Sequence, residues 1–312
     1  MIATRDAYGK ALVALGEREP RVVVLDGDLS SSTKTGMFAK RFPDRFFNMG
    51  IAEQNLMGTA AGLAAAGKIP YASTFAIFAS GRAWEQVRQS IAYAELNVKI
   101  VATHSGVTVG EDGGSHQSVE DISLMRSIPG MTVIVPADAV ETEKVIMEIA
   151  RHKGPMFVRL GRTKVPVVFE NGCDFAIGRA STIAEGTDVA IIAAGVMTAK
   201  AVDAGAKLSA MGIHARIINM STIKPIDEAA IVHAAEQTGA LVTAEEHSII
   251  GGLGSAVAEV VVKNCPVPVE FVGIRDTFGT SGSSEELLEY FGLTASHIMA
   301  SAERAIKRKK QG

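Results

Sequence analysis

An alternation constrains this chain more than any other feature. Short runs rich in β-branched and apolar residues stand at 21–28 (RVVVLDGD), 69–74, 98–104, 131–138 and 155–160. Between them, 52–66, 80–95, 119–127 and 138–152 carry helical spacing. Apolar strands with a helix between each pair predict a parallel sheet covered on both faces. The rhythm resumes later, with strands expected at 187–195, 213–220, 239–247 and 268–276 and helices at 197–211, 227–238, 252–264 and 284–290. A looser stretch, 161–186, separates the two series. A chain of 312 residues is long for one core and comfortable for two. The expected fold class is therefore α/β, with two doubly wound domains, the first built on a mainly parallel sheet and the second smaller.

Composition works by exclusion. A net charge of −3 offers no basic surface to nucleic acid. The one dense basic run, KRKKQG at 307–312, reads as a solvated tail. Cys173 and Cys265 stand far apart in no metal-like spacing, as incidental thiols of a reducing compartment do. The opening residues MIATRDAYGK lack the apolar segment of a secretion signal. The weakly charged region 54–84 is interrupted by Lys68, Pro70 and glycines before it reaches the ~20 residues a bilayer needs. A cytoplasmic protein with no membrane or nucleic-acid partner is expected.

Strand ends in parallel sheets feed ligand-binding loops, and several such loops here are unusual. In FNMGIAEQNLMGTAAGLAAAG (47–67), Glu53 sits in the first turn of a helix made largely of small and apolar residues, and it is the only acid between Arg45 and Trp84. The helix dipole alone favours an acid there. A buried carboxylate also needs a donor, and no neighbour in sequence supplies one; a ligand N–H is one candidate. Phe75 and Phe78 share a helical face and serve either as core or as a wall for a flat heterocycle. ATHSGVTVGEDGGSHQ (102–117) follows a strand with His104, four glycines, Asp112 and His116, a plausible polar site whose histidines have no metal-ligand spacing. DGDLSSST (26–33) resembles a phosphate loop without the P-loop pattern, and GGLG (251–254) reads better as close packing than as a dinucleotide fingerprint.

Taken in order, GIAEQN, STFAIF, ATHSGVTVGEDGGSHQ and SIPGMTVIVPAD resemble the pyrimidine-binding domain of transketolases. TAEEH…GGLG resembles the C-terminal domain of that family. The resemblance implies a pyrimidine-binding domain at 1–168, a linker at 169–186 and a C-terminal domain at 187–312. It implies thiamine diphosphate as cofactor, with Glu53 hydrogen-bonded to N1′ of its aminopyrimidine, Phe75 and Phe78 walling that ring, and Asp28 close by. His116 and Glu53 are the implied catalytic pair. Arg5, Ser32, His104 and Arg162 are implied on the substrate phosphate, and Asp112 and His116 on the sugar oxygens. The Gly-Asp-Gly…Asn metal motif of the family's N-terminal domain is not matched, since Leu29 follows Asp28. Mg2+ or Ca2+ is therefore expected on a partner subunit carrying the pyrophosphate-binding domain. The chain then resembles the C-terminal half of a split transketolase, pairing with that partner and with itself, inactive alone, and acting on sugar phosphates. The rivals are a deoxyxylulose-phosphate-synthase-like subunit, a 2-oxoacid dehydrogenase beta-like subunit and a non-catalytic regulatory subunit.

Overall fold

The structure, a computed structural model, describes residues 1–170 and 172–311. Asn171, within the expected linker, and Gly312, the end of the basic run, lie outside the described residues. The main sheet has seven strands in the order Thr222–Lys224, Thr132–Ile134, Met156–Arg159, Lys99–Ala102, Ile69–Ser73, Val22–Asp26, Phe46–Asn48. All pair in parallel except Thr222–Lys224, which runs antiparallel to Thr132–Ile134. That edge strand comes from the second half of the chain and ties the two halves through backbone hydrogen bonds.

Alternate residues of one strand point to opposite faces, and the core divides accordingly. Val23 and Leu25 pack with Leu56 and Met57 of helix Glu53–Ala65. Val22 and Val24 pack with Tyr8 and Leu12 of helix Thr4–Arg18 and Ile146 of helix Ala139–Ile149. The second sheet has five strands in the order Val269–Ile274, Leu241–Ser248, Val189–Ala193, Ala215–Asn219, Ser181–Ala184, with only Ser181–Ala184 antiparallel. The α/β class and the mainly parallel first sheet are as expected.

Several elements differ from expectation. Helix Thr4–Arg18 has no counterpart in the sequence reading; much of its buried face is alanine and glycine, so its apolar period is weak. The stretch 80–95 is not a plain α-helix: π-helical turns at Phe78–Arg82 and Val87–Ala92 flank a short α-turn, Trp84–Gln86. The basic tail continues helix Ala295–Lys309, where Arg308 pairs with Glu270 at 2.7 Å and Lys309 Nζ donates to the Thr238 carbonyl at 2.6 Å. Helix Glu53–Ala65 buries one face only: Gln54, Gly58, Gly62 and Ala65 form an exposed stripe.

Candidate active site

The C-terminal ends of the parallel strands converge on one edge of the main sheet, where such sheets place ligands. After Val22–Asp26 comes a loop organised by Asp26, whose buried carboxylate accepts from Leu29 N at 2.6 Å and from the Thr33 and Thr35 hydroxyls at 2.7 and 2.8 Å. Asp28 follows with φ 63 and accepts from Asn48 Nδ2 at 2.8 Å. Ile69–Ser73 leads to Phe75 and Phe78, stacked with centroids 5.9 Å apart. Lys99–Ala102 leads to His104, and Met156–Arg159 to Arg162.

A cleft of about 390 Å³ is lined by Asp28, Glu53, Phe75, Phe78, Arg82 and His116, among others. Glu53 is 2% exposed. Its missing donor is Arg82, whose Nη1 lies 3.0 Å from each carboxylate oxygen. The same guanidinium covers the Phe78 ring, 4.3 Å from its centroid. His116 meets Phe78 edge-on at 5.5 Å, with Nδ1 engaged by Ser115 Oγ at 3.0 Å.

The second group lies one ring away. Phe75 stacks on His104 with centroids 3.8 Å apart. Arg5 Nη1 donates to the Ser32 carbonyl at 3.1 Å and to His104 Nε2 at 3.0 Å. A guanidinium has only protons to offer, so Nε2 accepts and the ring proton sits on Nδ1, facing Thr103 Oγ1 at 2.8 Å. Burial, reinforced by Arg5, Arg162 and Lys34, pulls the His104 pKa down to about 3 and keeps the ring neutral. Ser32 joins the cluster through its carbonyl. Arg162 donates to the Val109 carbonyl and lies 3.5 Å from Glu111 and 3.8 Å from Asp112. Every candidate residue therefore reaches this edge, in two connected groups: Asp28, Glu53, Phe75, Phe78 and His116 in the cleft, and Arg5, Ser32, His104, Asp112 and Arg162 in or beside the cationic cluster.

Sequence reasoning misses Arg82. Its signal mirrors that of Glu53: between Lys68 and Arg88 it is the only Lys or Arg. It also leaves His247 and the loop FGTSGSS (278–284) without a role. Both brace the site from the second half of the chain. His247 Nε2 accepts from Ser123 N at 3.3 Å, while Gln117 Nε2 donates to the Thr280 carbonyl at 2.9 Å and Ser284 Oγ to the Thr108 carbonyl at 2.9 Å.

Comparison with known proteins gives the family. Residues 1–168 match the transketolase pyrimidine-binding domain and 178–298 the transketolase C-terminal domain. A Methanocaldococcus jannaschii protein described as a candidate transketolase C-terminal section is 51% identical over 98% of this chain and 96% of its own length. A 6-deoxy-6-sulfo-D-fructose transketolase subunit from a Clostridium species is 45% identical over 98% and 95%. A solved structure described as a split-gene transketolase in an inactive β4 tetramer superposes with a TM-score of 0.93 at 56% identity, covering 99% of this chain and 100% of that one. The chain belongs to the transketolase family. It carries that family's pyrimidine-binding and C-terminal domains, and the two relatives of matching length named above are described as a section and a subunit.

The family implies thiamine diphosphate, and the cleft fits the pyrimidine end of that cofactor. It presents a buried carboxylate as acceptor beside the flat face of Phe78, two features an aminopyrimidine can satisfy together.

Proposed function

We propose that this chain is the half of a heteromeric transketolase that holds the aminopyrimidine of thiamine diphosphate. The assembled enzyme moves a two-carbon ketol unit from a ketose phosphate to an aldose phosphate. The observation that carries the reading is the placement of a buried carboxylate, an aromatic face and a cationic cluster along one sheet edge. Thiamine diphosphate, when bound, supplies the nucleophilic carbon that takes up the ketol unit. Glu53 accepts a hydrogen bond from N1′ in a site dry enough for the bond to polarise the ring. Phe78 stacks beneath the pyrimidine and Phe75 closes its side. With Nδ1 engaged by Ser115, His116 keeps Nε2 for the donor's hydroxyl or carbonyl oxygen. Asp112 reads a sugar hydroxyl. Arg5 and Arg162 donate to the terminal oxoanion, with neutral His104 accepting from Arg5 to hold its guanidinium in place and Ser32 beside them.

The pyrophosphate and its Mg2+ or Ca2+ are assigned to a partner chain with the N-terminal domain. Self-pairing then gives an α2β2 assembly, and this chain alone has no activity. The exposed Gly58 and Gly62 stripe beside Glu53 offers a surface for close subunit approach. Sulfonated sugars are a second donor class, because a sulfonate presents the same oxygens to the arginines and one relative is described as a sulfofructose enzyme subunit.

The test is to co-purify the chain with a candidate partner and assay ketol transfer from phosphorylated and sulfonated ketoses. Transfer should require both chains and thiamine diphosphate. Glu53→Gln should lower turnover by roughly 10²–10⁴. Full turnover by that variant, or by the chain alone, removes the reading.

A further inference from the structure

We infer that Arg82 is an internal stand-in for the cofactor's aminopyrimidine, a cofactor-gating residue that occupies both recognition surfaces of the cleft and yields them when the cofactor enters. The inference rests on the proposed cofactor site and extends it to a residue that neither the motifs nor the comparisons assign.

The argument is one of matched chemistry. A bound aminopyrimidine, in its N1′-protonated or imino form, needs an acceptor for a ring N–H and an aromatic face to stack on. Arg82 uses the same two groups. Its Nη1 is 3.0 Å from both oxygens of Glu53. Its guanidinium carbon is 4.3 Å from the centre of the Phe78 ring. A guanidinium is flat, offers N–H donors and stacks on rings, as an aminopyrimidine does. Only one of them can cover Phe78 and Glu53 at a time.

Burial decides what the exchange costs. The Glu53 side chain is 2% exposed, whereas that of Arg82 is 50% exposed. A carboxylate so buried is destabilised without a partner, so Arg82 keeps it satisfied before the cofactor arrives. Arg82 is already half in water and can withdraw its head group without being stranded. It leaves from the last position of the π-helical turn Phe78–Arg82 that also carries Phe78. Glu53 then passes from one N–H donor to another and stays paired. The apparent affinity for the cofactor is lowered by the fraction of molecules in which Arg82 holds the cleft.

The test uses the full chain with 4-amino-5-hydroxymethyl-2-methylpyrimidine, the pyrimidine half of the cofactor, titrated calorimetrically. The chain with its partner, titrated with thiamine diphosphate and Mg2+, is the second arm. Circular dichroism checks that each variant is folded. Arg82→Gln should bind the probe roughly 3- to 30-fold tighter than wild type, the span between exposed and buried charged hydrogen bonds. Arg82→Met, which keeps the length of the chain and removes every donor, should do the same. Arg82→Lys, a cation without a flat face, should fall between. Glu53→Gln separates the two ideas. If Glu53→Gln weakens binding while both Arg82 variants bind equally or less tightly than wild type, the gating role is overturned and the cofactor site stands. If Glu53→Gln leaves binding unchanged, or nothing binds in either arm, site and gate fall together.

Discussion

His104 shows how strongly single residues here are set by their neighbours. With its pKa near 3, it stays neutral throughout the physiological range and acts as a fixed donor and acceptor. Charge on the proposed anion-binding side therefore comes from Arg5 and Arg162, with Lys34 behind them. Arg162 already faces Glu111 at 3.5 Å and Asp112 at 3.8 Å, so an incoming oxoanion competes with two carboxylates. Arg162→Ala should raise KM for a ketose phosphate roughly 10- to 100-fold, the worth of a charge-assisted hydrogen bond, and leave kcat little changed. Steady-state kinetics checks this, and an equal loss in kcat would place Arg162 on the reacting atoms instead. Much of this site is legible in the sequence, because Glu53, the aromatic pair and the glycine-rich loop each break the composition around them. Arg82 is harder to see. It lies on a different element from Glu53, and sequence periodicity speaks only of neighbours on the same element.

The loop 106–117 owes its shape to the second half of the chain. Thr108 N donates to Glu246 Oε1 at 2.6 Å, and Gln117 bridges to the 278–284 loop. Gly106 is the tight point. It has φ +71, and a Cβ there would stand 2.2 Å from Glu246 Cδ. Gly130 has nearly the same φ, +72, with nothing within 4 Å of an added Cβ. The pair separates backbone strain from collision. Gly130→Ala should cost ~1 kcal/mol from the left-handed backbone alone. Gly106→Ala should cost roughly 3–5 kcal/mol, because it also pushes a buried carboxylate off its donor. Urea unfolding of both variants measures the difference, and equal losses would show that Glu246 moves aside freely. Such braces are invisible in the sequence for a physical reason: 138 residues separate Thr108 from Glu246, and only the packed second domain brings them together. Helix Thr4–Arg18 escapes notice for another. Gly9 and Gly16 are buried at close helix contacts, where an added Cβ would lie 2.7 Å from Lys34 and 2.6 Å from Phe38, so the face that packs carries no apolar signature.

Across the whole molecule, the two halves meet through buried polar groups as well as a shared core. Arg159 donates to Asp121 at 2.7 Å and to the Glu246 carbonyl at 2.9 Å. Glu141, on helix Ala139–Ile149, accepts from Ala137 N at 2.6 Å and from Asn219 Nδ2 of the second sheet at 2.9 Å. Burial raises the Glu141 pKa from 4.5 to about 7, outweighing these donors. The folded chain therefore holds a proton on Glu141 between about pH 4.5 and 7, where the unfolded chain has lost it. Stability from this group is full below pH 4.5 and is lost as pH rises through 7, by about 3 kcal/mol at ~1.4 kcal/mol per pKa unit. Lys99 has the opposite sign. Burial pulls its amine from 10.5 to about 7, so its contribution is full above pH 10.5 and is lost as pH falls through 7. Replacing each by a neutral residue should remove one limb at a time. Glu141→Gln should gain stability relative to wild type as pH rises from 5 to 8, since an amide can accept from Ala137 N without ionising. Lys99→Met should instead gain relative to wild type as pH falls from 9 to 6, set against a constant loss of the bonds Lys99 Nζ makes to the His152 and Gly154 carbonyls at 2.7 and 3.0 Å. Melting temperatures of the three proteins across that range measure both slopes. If the Glu141→Gln difference is flat, the carboxyl at the junction of the two halves is already ionised at neutral pH, and the Asn219 contact holds a charge instead of a proton.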